Sequence, residues 1–441
     1  MIKLNSNFIK INFDNDLFSS NNLLNSKINN SNILVIGGGA REHAICYAVH
    51  QSSKLSKLYA IPGNYGISQL AECHIVDTND FDELFSFAIK KAIDLIIVGP
   101  EVPLVNGIVD FFTSRKIKIF GPDQFAAQLE GSKSFMKDLC NEHRIPTAQY
   151  EKFQNSDDAI KYLETQSYPI VIKADGLAAG KGVTIAEDFK TASIAVQDIF
   201  NAKFGANMDV VIEEFMYGEE ASYFICSDGK NFISLISAQD HKRIGENDTG
   251  PNTGGMGAYS PAPVFTEKVK KQVDAEIIKP TLKAMFDKGH PFKGILYAGL
   301  MIENEKAKLV EYNIRFGDPE CQVLMMSLKS DLIDLIMYSI NGSINDYDCD
   351  WYDEDCATVV LASKGYPGEF IKDTEIKGLE NIKTSQSLQV FHAATVESDE
   401  KILANGGRVL SITAKDKSLR SALSTIYNEV KKIDSFTAVL M

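Results

Sequence analysis

The sequence predicts a multidomain α/β and α+β protein: an N-terminal doubly wound parallel-sheet domain, a central domain of two lobes and a small C-terminal α+β domain. First, a chain of 441 residues is too long for one hydrophobic core and corresponds to about three domains. Second, short apolar runs alternate with helical segments through residues 32–132, as in a parallel sheet. Third, later apolar runs come in pairs joined by turns, which is typical of antiparallel sheets.

The expected domain boundaries follow these changes of pattern. Residues 1–31 are rich in Asn and Ser, and we expect them to form a weakly ordered extension without chemistry. The N-terminal domain is expected at residues 32–132, the two-lobed central domain at 133–352 and the C-terminal domain at 353–441.

The N-terminal domain opens with a strand–turn–helix unit. Its turn, Gly37-Gly-Gly-Ala-Arg41, resembles part of a dinucleotide fingerprint, but Glu42 occupies the third glycine position and no acid ends the second strand. The helix N-terminus can still bind an anion such as a sugar phosphate, although a tight turn explains the glycines equally well. The expected strands of this domain are residues 33–36, 58–61, 94–98 and 118–122, with 74–76 as a further candidate.

The composition excludes some classes of function. A net charge of −14 and a pI near 5.1 argue against a broad surface for nucleic acid or for an anionic membrane. The seven cysteines are scattered and have no zinc spacing with one another or with the histidines, so we expect a reduced, cytoplasmic compartment. No apolar run approaches membrane-spanning length. An anionic substrate must therefore be met by local lysines, arginines and backbone N–H groups.

The loop Lys173-Ala-Asp-Gly-Leu-Ala-Ala-Gly-Lys-Gly-Val183 is the most informative stretch. Its glycines let backbone N–H groups close around phosphate oxygens, and Lys173 and Lys181 add charge. It is not a P-loop, because three residues rather than four separate its first two glycines and no Ser or Thr follows the lysine. Apolar runs on both sides predict the tip of a β-hairpin that folds over a nucleotide. An ordinary glycine-rich hairpin turn is the alternative.

A second stretch, Lys308-Leu-Val-Glu-Tyr-Asn-Ile-Arg-Phe316, is predicted to be a strand whose alternation places Glu311, Asn313 and Arg315 on one face. A carboxylate beside a carboxamide oxygen suits Mg²⁺, and an arginine nearby can stabilise a phosphoryl group in transfer. A solvated face of an amphipathic strand is the alternative. The following turn, Gly317-Asp-Pro-Glu320, adds further acids and favours a site.

Two other segments attract attention. Glu213 and Glu220 flank the apolar hinge Phe215-Met-Tyr217, which could provide an adenine pocket and a partner for ribose hydroxyls, or could simply be two exposed acids beside a turn. Residues 239–263 are predicted to be a long loop without regular structure, and loops of that length are usually functional or disordered. Its basic pair, Lys242 and Arg243, favours a function.

Taken together, these motifs resemble the ATP-grasp ligases and, within them, the glycinamide ribonucleotide synthetase (phosphoribosylamine–glycine ligase) family. The resemblance covers the chain from Asn32 to the end of the third domain, and residues 1–31 lie outside the family pattern. The matching stretches are residues 35–44, 98–104, 129–133, 173–183, 239–243, 248–261 and 311–320.

The resemblance implies a reaction and a set of roles. ATP, glycine and 5-phosphoribosylamine would give ADP, phosphate and glycinamide ribonucleotide through a glycyl phosphate, in a protein expected to be a monomer. Arg315 would stabilise the acyl phosphate, and Glu311 and Asn313 would bind Mg²⁺ or Mn²⁺. The residues implied for ATP are Lys133, Lys173, Gly180, Lys181, Gly182, Glu213, Phe215 and Glu220. The residues implied for the other substrates are Gly39, Arg41, Asp240, Lys242, Arg243, Gly255, Arg315 and Asp318.

Three alternatives remain open from the sequence. Another ATP-grasp carboxylate–amine ligase would share Lys133, Lys173, Glu311 and Asn313 but not the segment 240–261. A nicotinamide-dependent oxidoreductase would use the turn at Gly37, although its fingerprint is incomplete. A non-catalytic ATP sensor would keep the nucleotide site without turnover.

Overall fold

The computed structural model describes residues 30–177, 182–203, 205, 208–246 and 249–433. The strands are β1 (Ser31–Gly37), β2 (Leu55–Pro62), β3 (Glu72–Cys73), β4 (Leu95–Val98), β5 (Lys118–Phe120), β6 (Tyr150–Phe153), β7 (Ile170–Ala174), β8 (Val183–Ala186), β9 (Val210–Glu214), β10 (Glu219–Asp228), β11 (Phe232–Ser234), β12 (Gln239–Gly245), β13 (Thr249–Ser260), β14 (Lys293–Glu303), β15 (Lys306–Asn313), β16 (Asp355–Ala362), β17 (Thr374–Glu375), β18 (Leu388–His392), β19 (Thr395–Ser398), β20 (Lys401–Ala404) and β21 (Arg408–Asp416). The α-helices are α1 (Ala40–His50), α2 (Tyr65–Ser68), α3 (Phe81–Lys90), α4 (Glu101–Val105), α5 (Ile108–Ser114), α6 (Gln128–Gly131), α7 (Lys133–His143), α8 (Ser156–Leu163), α9 (Phe189–Phe200), α10 (Glu267–Val273), α11 (Lys279–Asp287), α12 (Glu320–Ser327), α13 (Leu332–Ile340) and α14 (Leu419–Val430).

The N-terminal domain is built on a parallel sheet in the order β3-β2-β1-β4-β5, which confirms the predicted doubly wound fold. Its central strands are buried on both faces, as expected for a parallel sheet covered by helices. The third strand was predicted at residues 74–76, which is wrong by two residues. Ile75 is 87% exposed, so the apolar residues Ile75 and Val76 do not mark a buried strand.

The first lobe of the central region is an antiparallel sheet in the order β6-β9-β7-β8, packed against α8 and α9. The pair β7–β8 confirms the predicted hairpin, with Lys173 opposite Val183. Residues 178–181 lie outside the described residues, so the predicted hairpin tip over the nucleotide, with Gly180 and Lys181, is not described. Residues 1–29 also lie outside them, so the predicted extension is not described.

The second sheet runs β11-β10-β14-β15 and confirms the prediction that the later apolar runs pair as antiparallel strands. Residues 267–287 form the helices α10 and α11, joined by a π-helical turn at Asp274–Ile278. Strand β15 ends at Asn313, and its register with β14 shifts beside Gly299. The expectation that Arg315 continues the face of this strand is therefore wrong, since it follows the strand end.

The prediction of an irregular loop at residues 239–263 is wrong. Strands β12 and β13 form an antiparallel pair there, and β13 also pairs with β16. The resulting sheet, β12-β13-β16-β21-β18, unites this segment with the C-terminal strands. The sequence of β13 is rich in glycine and lacks Val and Ile, so its strand conformation depends on partners on both sides rather than on local preference.

The C-terminal region is the predicted α+β unit. Helix α14 packs on β16 and β21, and a small sheet, β17-β20-β19, lies beside them. The described residues contain no helix that is long and apolar enough to cross a membrane. All seven cysteines are described, and each has a free thiol.

Candidate active site

A cavity of about 440 Å³ lies where the N-terminal sheet, both lobes and the C-terminal sheet meet. Its apolar part comes from the first lobe, including Val171, Ile185 and Phe215, with Met301 of β14. Its polar part is charged. Nine carboxyl residues of the described chain line it: Glu101, Glu130, Glu213, Glu214, Glu220, Asp240, Glu311, Asp318 and Glu320. Six cationic residues line it as well: Arg41, Lys133, Lys173, Lys242, Arg315 and Arg408.

Glu213 pairs with two lysines at the apolar end of the cavity. Its Oε2 lies 2.9 Å from Nζ of Lys173 and 3.0 Å from Nζ of Lys137. Lys173 and Glu213 sit on neighbouring strands, β7 and β9, whose pairing brings the two side chains together. The other carboxylate oxygen, Oε1, is buried without a hydrogen-bond partner. A buried, unpartnered acceptor costs free energy, so it is available to a donor from a ligand.

Lys133 lies at the start of α7 and its Nζ donates to the carbonyl oxygen of Gly176, at 2.9 Å, in the glycine-rich segment. Burial lowers its pKa, and the positive charge of Lys173 lowers it further, while Glu311 opposes the shift. An anionic ligand such as a phosphate would relieve this cost. Lys133 and Lys173 therefore approach one cavity from different elements.

Glu311 and Asn313 both line the cavity at the end of β15. Burial alone would raise the pKa of Glu311, but Lys242, Lys173 and Lys133 outweigh it and hold the pKa below its usual value. The group is therefore ionised at neutral pH. The carboxylate of Glu311 and the carboxamide of Asn313 give two hard oxygen donors, which suit Mg²⁺. Among the described residues there is no group of three or more His, Cys, Asp or Glu that could hold a metal ion.

Arg315 is held by acids from the N-terminal side of the cavity. Its Nη2 lies 2.8 Å from Oε1 of Glu130, and its Nε lies 3.3 Å from Oε2 of Glu101. The second oxygen of Glu130 accepts the backbone N–H of Ile314, at 2.8 Å. One buried carboxylate thus fixes both the guanidinium and the chain that carries it.

The carboxylate of Glu42 contacts the glycine turn before α1 and the arginine that follows it. The Gly39 N–H donates to Oε2 of Glu42 at 2.6 Å, and Nε of Arg41 lies 2.6 Å from Oε1. A Cβ at Gly37 would lie 2.4 Å from the Glu42 side chain, and φ there is +125°, so glycine is needed. Because the Glu42 carboxylate already accepts the Gly39 N–H, this backbone donor is not free for a dinucleotide phosphate, which argues against the oxidoreductase interpretation. Arg41 still reaches the cavity.

Acids and one lysine form a further part of the cavity wall. Nζ of Lys242 lies 2.5 Å from Oε2 of Glu220. Burial raises the pKa of Asp240 to about 7, with Lys242 opposing the shift and Glu320 and Glu220 adding to it. Oε1 of Glu320 accepts a hydrogen bond from the Ser222 hydroxyl at 3.1 Å. This wall is therefore rich in negative charge and suits a cationic or hydrogen-bond-donating group.

Arg408 of β21 enters the cavity from the C-terminal sheet. Its Nη2 lies 3.1 Å from Oδ2 of Asp318. Burial alone would raise the pKa of Asp318, but Arg408 and Arg41 keep it below its usual value. Gly255 lies close behind, with φ of +105° and no room for a Cβ beside Pro319.

The structure brings most of the sequence-predicted site residues to this one cavity. Three of them lie outside its lining: Gly39, Gly255 and Arg243, whose Nη1 lies 3.5 Å from the carbonyl oxygen of Gly250. The predicted residues that line it are Lys133, Lys173, Gly182, Glu213, Phe215, Glu220, Arg41, Asp240, Lys242, Glu311, Asn313, Arg315 and Asp318.

Several site residues were missed from the sequence, and four of them make the contacts described above. Glu101 and Glu130 lie in stretches that the sequence singles out, but nothing in the local pattern shows that they face Arg315. Lys137 is one turn beyond Lys133 on α7, so helical spacing could have suggested it. Arg408 has no local signal, because the sequence around it contains no motif typical of a site.

Comparison with known proteins shows the family to which the chain is similar. Family models of phosphoribosylglycinamide synthetase match the chain in three parts: the N domain at residues 31–130, the ATP-grasp (A) domain at residues 131–321 and the C domain at residues 356–439. The chain is 49% identical over 403 residues to a phosphoribosylamine–glycine ligase of Agrobacterium fabrum, covering 91% of this chain and 95% of that protein. It is also 49% identical over 403 residues to the phosphoribosylamine–glycine ligase of Brucella melitensis, covering 91% of this chain and 94% of that protein.

A solved structure gives the same result for the fold. The crystal structure of phosphoribosylamine–glycine ligase from Thermotoga maritima superposes with a TM-score of 0.80 at 29% identity, covering 92% of this chain and 98% of that one. Sequence, fold and cavity lead to one conclusion: the chain belongs to the phosphoribosylglycinamide synthetase (phosphoribosylamine–glycine ligase) family of ATP-grasp enzymes.

Proposed function

We propose that this protein joins glycine to 5-phosphoribosylamine at the expense of ATP, a step of purine biosynthesis. A glycine carboxylate oxygen attacks the γ-phosphorus of ATP, ADP leaves, and glycyl phosphate forms. The amine nitrogen then attacks the glycyl carbonyl carbon, phosphate leaves, and the nitrogen loses a proton to give the amide of glycinamide ribonucleotide. A carboxylate is already ionised at neutral pH, so the first step needs no general base.

The apolar end of the cavity suits adenine. The unpartnered Oε1 of Glu213 is an acceptor for the 6-amino group, since that group is a donor. Lys133 and Lys173 then lie between the base and Glu311, where the phosphates of ATP would reach. Gly182, directly before β8, also lines the cavity.

Mg²⁺ or Mn²⁺ fits the donor set at the end of β15. Glu311 and Asn313 would hold the ion, with water and phosphate oxygens completing its coordination. Among the described residues of the lining, carboxyl residues outnumber cationic ones, so a triphosphate would meet net negative charge from this part of the chain. A bound divalent cation would supply the missing positive charge and polarise the transferred phosphoryl group.

Arg315 is the residue best placed to stabilise charge on the acyl phosphate. It lies two residues beyond Asn313, and its two acidic partners hold it against the cavity wall. The acidic wall of Asp240 and Glu320 suits the amino groups of the two small substrates. The protein's contribution is thus to position the reactants, neutralise charge and exclude water.

The observation that carries this proposal is the convergence of Lys133, Lys173, Glu311, Asn313 and Arg315 on one cavity in a chain of this family. An omission assay tests it. ADP formation is measured with ATP and Mg²⁺ while glycine or 5-phosphoribosylamine is left out in turn. We expect product only when both are present. Turnover that ignores glycine would refute the proposal and favour another carboxylate–amine ligase, and nucleotide binding without any turnover would favour a sensor.

A further inference from the structure

We propose that Arg408 is a positioning residue through which the C-terminal sheet closes the acceptor side of the active site and keeps ATP cleavage coupled to amide formation. The inference rests on the function proposed above and assigns a role to a residue outside the ATP-grasp core. It starts from an unusual set of contacts. One guanidinium, on β21, contacts two separate segments that each line the cavity.

The contacts of Arg408 are made mostly with backbone carbonyl oxygens. Its Nη1 lies 2.5 Å from the oxygen of Gly254, 3.2 Å from that of Gly255 and 2.7 Å from that of Asp318. Its Nη2 pairs with the Asp318 carboxylate. A planar guanidinium with several N–H donors can serve all these acceptors at once, whereas an ammonium group cannot match this geometry.

The two segments are built to approach this arginine. A Cβ at Gly254 would lie 3.1 Å from Cζ of Arg408, so the guanidinium rests against a glycine. The Gly254 N–H donates to the hydroxyl of Tyr366, which also belongs to the C-terminal region. The C-terminal region therefore holds β13 from both its N–H and its carbonyl side.

Asp318 connects this contact to the reacting groups. It follows Arg315 by three residues, and Arg408 and Gln322 each contact one of its carboxylate oxygens, Gln322 at 2.9 Å. Arg315 and Phe316 follow the end of β15, and the turn that carries Asp318 comes directly after them. Loss of Arg408 would leave this carboxylate and three carbonyl oxygens without their shared donor. The wall formed by β13 and the turn would then loosen on the side away from Glu213 and the adenine pocket.

This position predicts a selective defect. Among the described residues, the hydrogen bonds and the ion pair of Arg408 given above reach β13 and the turn at Asp318 rather than Lys133, Lys173 or Glu213, so ATP binding should persist. The acceptor amine should bind less well, and water should reach the activated glycine, since exclusion of water is what protects an acyl phosphate. The ratio of ADP formed to glycinamide ribonucleotide formed reports this leak directly, and a purely structural role would not change it.

The test compares full-length wild type with Arg408→Met, which keeps the length of the alkyl stem, and Arg408→Lys, which keeps the charge. Arg420→Met is the matched control, because Arg420 is an exposed arginine on α14 of the same region. For each protein, KM values for ATP and for 5-phosphoribosylamine, the ADP-to-product ratio and the melting temperature are measured.

For Arg408→Met we expect a rise of about tenfold in KM for 5-phosphoribosylamine, a change of less than about twofold in KM for ATP, and an ADP-to-product ratio above that of wild type. Arg408→Lys should fall between wild type and Arg408→Met. The inference is overturned if both variants keep the wild-type ratio, or if both KM values rise together. If Arg408→Met does not fold, Arg408→Lys decides by the same criteria. If the wild type shows no glycine-dependent ADP formation, the proposed function itself is refuted.

Discussion

The guanidinium of Arg315 and the carboxylate of Glu130 form a partly buried ion pair, 2.8 Å between Nη2 and Oε1, that joins the N-terminal part of the chain to the segment just beyond the strand carrying Glu311. Burial raises the pKa of Glu130, and Arg315 opposes that shift. The pair is therefore an electrostatic unit in which each partner offsets the desolvation of the other.

Glu130→Gln should slow turnover with little effect on nucleotide binding. The amide keeps an acceptor for the Ile314 N–H but loses the charge that holds Arg315. We expect kcat to fall about tenfold to a hundredfold while KM for ATP stays nearly constant, as for a group that acts in the transition state. Steady-state kinetics check this. Glu142→Gln, which removes an exposed ion pair with Lys288, should behave as wild type. An equal change in both variants contradicts the assignment.

Glu311→Ala should abolish Mg²⁺-dependent turnover, because it removes the only charged ligand proposed for the metal. The measurement is the rate as a function of Mg²⁺ concentration, repeated with Mn²⁺. Glu303→Ala is the control, since Glu303 is an exposed acid at the end of β14 in the same sheet. Wild-type activity in Glu311→Ala would show that the metal, if required, is held elsewhere.

Glu213→Gln should weaken the preference for ATP over GTP. The adenine amino group is a donor and guanine carries an acceptor at that position, so a carboxylate oxygen favours ATP and an amide can serve either. We expect the ratio of kcat/KM for the two nucleotides to shift by about tenfold. Glu151→Gln, an exposed acid on β6 of the same sheet, is the control.

The same Glu213→Gln change should also lower stability. It leaves Lys173 and Lys137 buried without their shared carboxylate, and breaking a buried pair costs about 3–5 kcal/mol. Thermal melting measures this part separately. A protein that melts early but keeps the wild-type nucleotide preference would assign Glu213 to stability alone.

Two buried histidines should make the contact between the N-terminal and C-terminal regions sensitive to acid. The His392 backbone N–H donates to Nδ1 of His43 at 2.8 Å. Burial lowers the pKa of His43 to about 3 and that of His392 to about 4. Between these values and an unfolded pKa of about 6.5, the unfolded state binds more protons than the folded state, so stability falls as pH falls.

His392→Gln removes one of these titrating groups. Its stability should decline less steeply than that of wild type between about pH 6.5 and pH 4, by up to about 1.4 kcal/mol per pH unit. Melting temperature as a function of pH checks the difference. His50→Gln, which changes an exposed histidine at the end of α1, should keep the wild-type slope. Parallel slopes for His392→Gln and wild type would contradict the prediction.

The sequence by itself determined the elements whose signal is local. The parallel strands, the hairpin that carries Lys173 and the strand that carries Glu311 and Asn313 all follow from apolar alternation and turn residues within a few positions. The residue types suited to phosphate and Mg²⁺ could be recognised as well, because they lie within a few positions of one another in the sequence.

Only the tertiary structure decided which distant groups meet. Strand β13 is a strand because β12 and β16 supply its hydrogen bonds, not because its glycine-rich sequence prefers that state. Glu130 faces Arg315 across 185 positions of chain, and Arg408 contacts Gly254 across 154, separations at which no periodic pattern carries information. Burial makes these contacts important for stability, because a charge removed from water is costly unless the fold places an opposite charge or a hydrogen-bond partner beside it.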